Sequence, residues 1–325
     1  MAIHPLWAQY PDIQKELEQT QKTIQHAIKI RNQDIQTVLS QFFESGGKLL
    51  RPAFFILFTE FGTVPSQKRK HEYAAALEIL HAATLIHDDV IDDSPLRRDM
   101  PSIQALYGKD IAVYTGDFLF TVYFQLLASA VQEMDTLDFN AKNMRKILVG
   151  ELDQMHLKHN IDITVKQYLR HVKGKTAQLF QLSCVEGARF AGCTKRQQLL
   201  ALRIGYNIGM GFQILDDILD YTATESELKK PVLEDLKNGH YTLPLILAMN
   251  RNRQAFAFLE KGTDLTDDDI QQAVTLIQRY QGVEQAIVLA ERYTETALKE
   301  IKKLPDIPAR HILYDVTATL LKRRD

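Results

Sequence analysis

Cysteine is nearly absent from this chain. Its two thiols, Cys184 and Cys193, have no metal-ligand spacing and cannot build a disulfide framework, so they read as reduced core residues of a cytoplasmic protein. Basic surplus is absent too. The 39 Lys and Arg against 41 Asp and Glu leave a formal net charge of −2, which gives no support for nucleic-acid binding through a broad basic surface. No run approaches about 18 uninterrupted apolar residues, so a membrane span is not expected, while peripheral contact with a bilayer stays open. The stretch from Met1 to Leu17 carries Pro5, Pro11, Asp12 and Glu16 and lacks the basic-then-apolar order of a signal peptide. No Pro/Gly/Ser linker or low-complexity tract divides the 325 residues, so we expect one large domain over 1–325.

Proline is missing between Pro101 and Pro231, and strand-like alternation is nearly absent. The proline-free tract reads as long helices over roughly 109–133, 139–158, 164–191 and 194–221, with breaks at Asp135–Asp138, Asn160–Thr164 and Gly192–Thr194. Before it, apolar spacing at Ile13, Leu17, Ile24 and Ile28 gives an amphipathic helix, and a second spans about 32–43. Ser66 is placed to cap the next long helix. The fold class is all-α.

What is present is a repeated acidic pattern. LIHDDVIDD at 85–93 and QILDDILD at 213–220 each carry an aspartate pair, two apolar residues and a further aspartate. On a helix, i and i+4 share a face, which sets Asp88 beside Asp92 and Asp216 beside Asp220. Like charges about 6 Å apart repel by roughly 3 kcal/mol at an effective dielectric near 20. A solvated helix face is the plainer reading of one such motif. Two copies, both flanked by apolar residues, favour a bound cation, and all-oxygen ligands favour Mg2+ completed by water and substrate phosphate.

Cations accompany the aspartates. Gly46-Gly47-Lys48 leads to Arg51-Pro52, placing Lys48 and Arg51 at i, i+3 near a helix start, where free N–H groups favour anions. His81 lies two turns before Asp88 on the same face. Arg97-Arg98 follows the first motif, and Lys175-Thr176 sits among apolar neighbours, where an ammonium needs a carboxylate or a phosphate. An apolar helical cavity with acidic walls and cations near its mouth suits loss of diphosphate from an apolar substrate.

At this point the sequence resembles the trans-polyprenyl diphosphate synthase family, with the character of its long-chain members. GGKLLRP at 46–52, DDVID at 88–92, Arg97-Arg98, GDFLF at 116–120, GELDQ at 150–154, Lys175-Thr176, FQILDDILD at 212–220 and KPVLEDLKNGHYTLP at 230–244 match in order over nearly the whole chain. The resemblance implies a bundle of long helices around a deep central cavity, and condensation of isopentenyl diphosphate with an allylic prenyl diphosphate. It assigns Lys48, Arg51, His81 and Arg98 to isopentenyl diphosphate, and Arg97, Lys175 and Lys230 to the allylic diphosphate. Asp88, Asp92 and Asp216 would ligate Mg2+, with Asp89, Asp217 and Asp220 alongside, and Thr176 and Gln213 would steady the cation or the metal shell. About three ions are implied with substrate bound, Mn2+ being a substitute. A homodimer is the family habit, and a heterodimer with a small subunit is the alternative.

The chain departs from the family pattern at Asp99, Lys229 and His240, the last standing where many members have a lysine. Small residues at Ala83 and Thr84, in the chain-length pocket that the resemblance implies, point to products of C20 or longer, in the C30–C40 range. Tyr123 or Phe124 is expected to form the floor. Three rivals share some features. An HD-type phosphohydrolase would use His87-Asp88 but needs more histidines, and the second copy has Leu215 at that place. A terpene cyclase needs no second diphosphate site, and non-catalytic partner subunits lose the aspartates.

Overall fold

The computed structural model describes residues 3–45, 47–97, 100–222 and 233–321. Along these the chain runs through α1 (Pro11–Ala27), α2 (Gln33–Glu44), α3 (Leu50–Thr59), α4 (Gln67–Ile91), α5 (Ile103–Tyr107) and α6 (Lys109–Ala130). There follow α7 (Met134–Leu157), α8 (Val165–Val172), a π-helical turn at Lys173–Ala177, α9 (Gln178–Phe190) and α10 (Lys195–Thr222). The last stretch holds α11 (Glu234–Lys237), α12 (Leu243–Arg251), a 3-10 segment at Arg253–Asp264, α13 (Asp267–Arg279), α14 (Gly282–Ile301) and α15 (Pro308–Leu321). Extended pairing among the described residues is confined to Leu96–Arg97 (β1) against Met100–Pro101 (β2), with Leu96 opposite Pro101. The fold is all-α.

Caps set most boundaries where polar side chains foretell them. The Asn32 side chain accepts from the Asp34 and Ile35 amides at 3.1 and 3.2 Å, and Ser66 accepts from the Arg69 amide. Thr164 and Gln167 form a reciprocal capping box for α8. Two expectations need correction. The break expected at Asp135–Asp138 falls at 131–133, and Asp135 lies in the first turn of α7, where a carboxylate suits the helix dipole. The continuous helix expected over 164–191 is interrupted by the π turn.

The chain forms two compact units, whose boundaries fall inside α7, α9, α10 and α15 and between α14 and α15. The first comprises Met1–Lys142, Leu182–Leu202 and Leu304–Leu313. Its axis is α4, on which α1, α3, α5 and α6 pack. Residues 74–80 of α4 are buried without exception, as befits a helix apolar on every side apart from Glu78. The α1 helix is pinned to α4 by Glu16, which accepts from Lys70 at 2.8 Å and pairs with His71 at 2.7 Å. These bonds hold the Glu16 carboxyl down at about 2. By length and composition α6 could cross a membrane, but one of its faces packs along α4. Both cysteines are buried and unbridged, and burial pushes their thiols up.

The second unit comprises Asn143–Gln181, Arg203–Lys303 and Tyr314–Asp325. Its core joins Tyr168 of α8 and Ile214 and Ile218 of α10 to Leu243, Ile246, Phe256 and Ile270. Helix α12 is sunk among α8, α13 and α14.

A polar network lies inside the first unit. Tyr73 donates to Glu186, Asn140 donates to the Tyr73 oxygen at 2.7 Å, and Tyr123 donates to Asn140 at 3.3 Å. Arg189 approaches Glu186 at 3.4 Å. Burial pushes the Glu186 carboxyl up to about 7 from 4.5, against the pull of Tyr73 and Arg189. The folded chain therefore holds this proton more tightly than the unfolded chain. Its contribution to stability is complete below pH 4.5 and is lost as pH rises through about 7, a change of about 3 kcal/mol. Glu16 acts in a separate window, stabilising above its ordinary pKa and losing that contribution as pH falls towards 2. Urea midpoints measured from pH 4.5 to 7 should fall for the parent chain, and Glu186→Gln should flatten that slope while leaving the acid limb unchanged.

Candidate active site

The first aspartate motif closes α4. Asp88 and Asp89 lie in its last turn, 9% and 2% exposed, and Asp92 is the C-terminal capping residue, its amide bonded to the Asp88 carbonyl at 2.8 Å. Asp89 is engaged by the protein itself. Arg97 of β1 donates to its Oδ1 through Nε at 2.9 Å and through Nη2. Burial pushes the Asp89 carboxyl up against the pull of Arg97, with Asp88 and Asp92 adding to the rise. The loop between is held at the Ser94 carbonyl by Ser102 at 2.6 Å and Gln104 at 2.8 Å. Arg97 was expected on the allylic diphosphate; here it neutralises the middle aspartate. Arg98 and Asp99 lie outside the described residues.

GDFLF proves to be a seat for His87. The imidazole Nδ1 is 3.0 Å from the Ala83 carbonyl, Nε2 is 3.2 Å from Asp117, and the ring stacks on Phe120. Gly116 faces that ring so closely that a Cβ would come within 2.4 Å of it. A side chain at that position would displace the His87 ring from its place against α6. The sequence reading named this motif without a role. Spacing of three to four residues along α6 is the signal that could have grouped Gly116, Asp117 and Phe120.

Lys48, Arg51 and His81 belong to the same unit, but the i, i+3 placement of Lys48 needs correction. Helix α3 begins at Leu50, and its N-cap, Leu49, is left-handed (φ 50°, ψ 39°), so Lys48 precedes the helix instead of riding on it. Gly47, Leu49, Glu78 and His81 line a cavity of about 10 Å³, no more than a single water occupies. Gly46 lies outside the described residues. Along α4, Ala83 and Ala76 are fully buried and Thr84 is half-buried, its hydroxyl donating to the His81 carbonyl at 2.8 Å. Of the two expected floor residues, Tyr123 is fully buried, whereas Phe124 is 44% exposed.

The second motif belongs to the other unit, on α10. Asp216 is exposed, whereas Asp217 and Asp220 are each 3% exposed. The i, i+4 pair thus divides into one outward and one sunken carboxylate. Asp217 accepts from the Tyr168 hydroxyl at 2.5 Å and from Gln213 at 2.8 Å, and Thr176 donates to Gln213 at 2.6 Å. Burial pushes the Asp217 carboxyl well up, with the charge of Asp235 adding to it.

Lys175 sits in the π turn and meets the carboxylate its burial demands. Its Nζ is 3.1 Å from Glu151 and donates to Gln154 at 2.8 Å. Both partners come from GELDQ, whose Gly150 touches Gly174 so closely that a Cβ on either would lie 2.7 Å from the other's backbone. Gln154 also lies 3.4 Å from Nδ1 of His240, which is half-buried. Nearby, His171 is pushed down to about 3 by burial, with Lys175 and His240 adding their charges. Lys229 and Lys230 lie outside the described residues.

The donor set bears on the metal. Among the described residues no cluster of three or more His, Cys, Asp or Glu is set to hold an ion alone. Mg2+ is ordinarily held by one or two carboxylates, with water and phosphate oxygens completing the shell, and the all-oxygen donors of Asp88, Asp92 and Asp216 fit that chemistry, whereas Asp220 is sunken.

Comparison with known proteins agrees with this geometry. A family model described as polyprenyl synthetase matches residues 32–278. Heptaprenyl diphosphate synthase component 2 of Geobacillus stearothermophilus is 34% identical over 318 residues, 98% of this chain and 99% of that protein. The crystal structure of geranylgeranyl pyrophosphate synthase from Lactobacillus brevis superposes with a TM-score of 0.94 at 42% identity, covering 98% of this chain and 99% of the other. Heptaprenyl diphosphate synthase from Staphylococcus aureus gives 0.92 at 33% identity, covering 96% and 99%. A family model over most of the chain and a relative 34% identical over nearly its full length show that the chain belongs to the polyprenyl synthetase family.

Proposed function

We propose that the chain is a Mg2+-dependent prenyltransferase that condenses isopentenyl diphosphate with an allylic prenyl diphosphate to give a trans-polyprenyl diphosphate of C20 or longer, in the C30–C40 range. One observation carries the reading. In each motif the middle aspartate is engaged by the protein, Asp89 by Arg97 and Asp217 by Tyr168 and Gln213, in a chain that a polyprenyl synthetase family model matches over residues 32–278. Metal dependence is general to the family; Mg2+, about three ions and Mn2+ as substitute are our assignment. The bound ions would supply neutralisation of charge developing on the departing diphosphate.

Asp88, Asp92 and Asp216 would hold those ions, and Asp220 supports Asp216 from the same helix. Lys175, kept in place by Glu151 and Gln154, and Lys230 bind the allylic diphosphate. Arg97 acts there through Asp89. Breaking the allylic C–O bond sends its electron pair to the diphosphate, and the double bond of isopentenyl diphosphate attacks the cation formed. Thr176 and Gln213 direct oxygen atoms suited to steadying positive charge. Loss of a proton to the released diphosphate restores a double bond. Lys48, Arg51, His81 and Arg98 hold isopentenyl diphosphate, and buried apolar residues such as Ala83 and Ala76 exclude water from the growing chain.

We also propose that 1–325 works as one cytoplasmic domain and forms a homodimer. Exposed Val113, Tyr114 and Phe124 on α6 support self-association. A small partner subunit is the second reading, favoured by the two relatives whose names call them component 2.

The purified chain given isopentenyl diphosphate, farnesyl diphosphate and Mg2+ should yield products of C20 or longer, and EDTA should abolish turnover until Mg2+ is restored. Asp88→Ala or Asp216→Ala should lower kcat by about 10²- to 10³-fold. No product from the chain alone, with activity appearing on adding a small subunit, would select the second reading. Ala83→Phe should shorten the product by one five-carbon unit or more on thin-layer sizing. His240→Lys should lower KM for the allylic substrate several-fold and leave KM for isopentenyl diphosphate unchanged.

A further inference from the structure

The chain has a single tryptophan, Trp7, which precedes α1 and lies outside the 32–278 span matched by the family model. It closes a short 3-10 turn, Pro5–Trp7, whose start is fixed by the His4 ring accepting from the Leu6 amide at 3.1 Å. Despite its place near the chain's beginning, Trp7 is fully buried. Its indole N–H donates to the Lys48 carbonyl at 2.7 Å, across 41 residues of sequence.

That carbonyl stands at a particular point. It belongs to the peptide joining Lys48 to Leu49, and Leu49 is left-handed. A leucine in that conformation is strained, so the turn persists only where its surroundings hold it. The Leu49 carbonyl then accepts from the Ala53 amide at 3.0 Å, starting α3, and Arg51 falls in the first turn. One bond from Trp7 therefore fixes the orientation of the peptide that sends Lys48 off ahead of the helix and Arg51 into it. An indole also presents no alternative: it donates through one N–H and accepts nothing.

We infer that Trp7 is a positioning residue for the homoallylic diphosphate subsite: through the Lys48 carbonyl it sets the Lys48–Leu49 turn from which Lys48 and Arg51 reach that diphosphate. The inference rests on the assignment of Lys48 and Arg51 made above. It adds a contribution from a segment ahead of the matched family region.

Two measurements test it. Trp7→Phe keeps an aromatic ring and deletes the donor. It should raise KM for isopentenyl diphosphate about tenfold, with kcat and the KM for the allylic substrate within about twofold. Equal loss in all three parameters, or no change in KM for isopentenyl diphosphate, would overturn the inference. The second measurement uses the parent chain, so it stands even where Trp7→Phe fails to fold. Because the sole indole is bonded to the turn, saturating isopentenyl diphosphate without allylic substrate should change its fluorescence, and Lys48→Ala should remove the change. A parent chain that forms product while its emission stays constant would sink the role of Trp7. A parent chain that forms no product under any condition would instead sink the proposed function.

Discussion

Carboxylates in the buried turns of apolar helices repel one another, and their hydration is lost. The protein answers this constraint locally. Asp89 receives the guanidinium of Arg97, and Asp217 receives the Tyr168 hydroxyl and the Gln213 amide. The two solutions differ in charge: the first compensates the anion, whereas the second only solvates it. Burial drives both carboxyls up, with Asp235 adding to Asp217 and with Asp88 and Asp92 adding to Asp89. With the middle aspartate of each motif tied down, its neighbours at i−1 and i+3 are held in register by the helix. Much else in both units serves this placement, including the pinned Ser94 loop that delivers Arg97.

Close approach between backbones is the second device. Gly116 admits the His87 ring against α6, and Gly150 meets Gly174 where α7 crosses the π turn. In each case the glycine belongs to a motif whose polar members then fall into reach: Asp117 on His87, and Glu151 and Gln154 on Lys175. The glycine and the charge in GDFLF and in GELDQ are therefore one feature. The first brings elements together and the second uses the proximity.

The long helices were legible because apolar periodicity and the absence of proline act locally. Ser66 announced its cap, and the breaks at Asn160–Thr164 and Gly192–Thr194 were marked by turn-prone residues. What escaped was set by distance or by backbone conformation. Tyr168 and Asp217 are 49 residues apart, and nothing in the local pattern of either points to the other. Lys48 was placed on a helix because Leu49 gives no sign of its left-handed turn, a conformation that sequence reserves for glycine or asparagine. The π turn leaves no composition signature, so 164–191 read as unbroken.

That turn has a consequence for how the segment tolerates change in length. A π turn accommodates an extra residue within an otherwise regular helix. Each residue advances a helix by about 100°. Trimming one residue between Lys173 and Ala177 would restore an even spiral. The flanking helices would then keep nearly their present register, whereas a deletion between Tyr168 and Lys173, in regular helix, would turn Tyr168 by about 100° away from Asp217. Length is therefore a softer quantity inside the π turn than in the helix on either side of it.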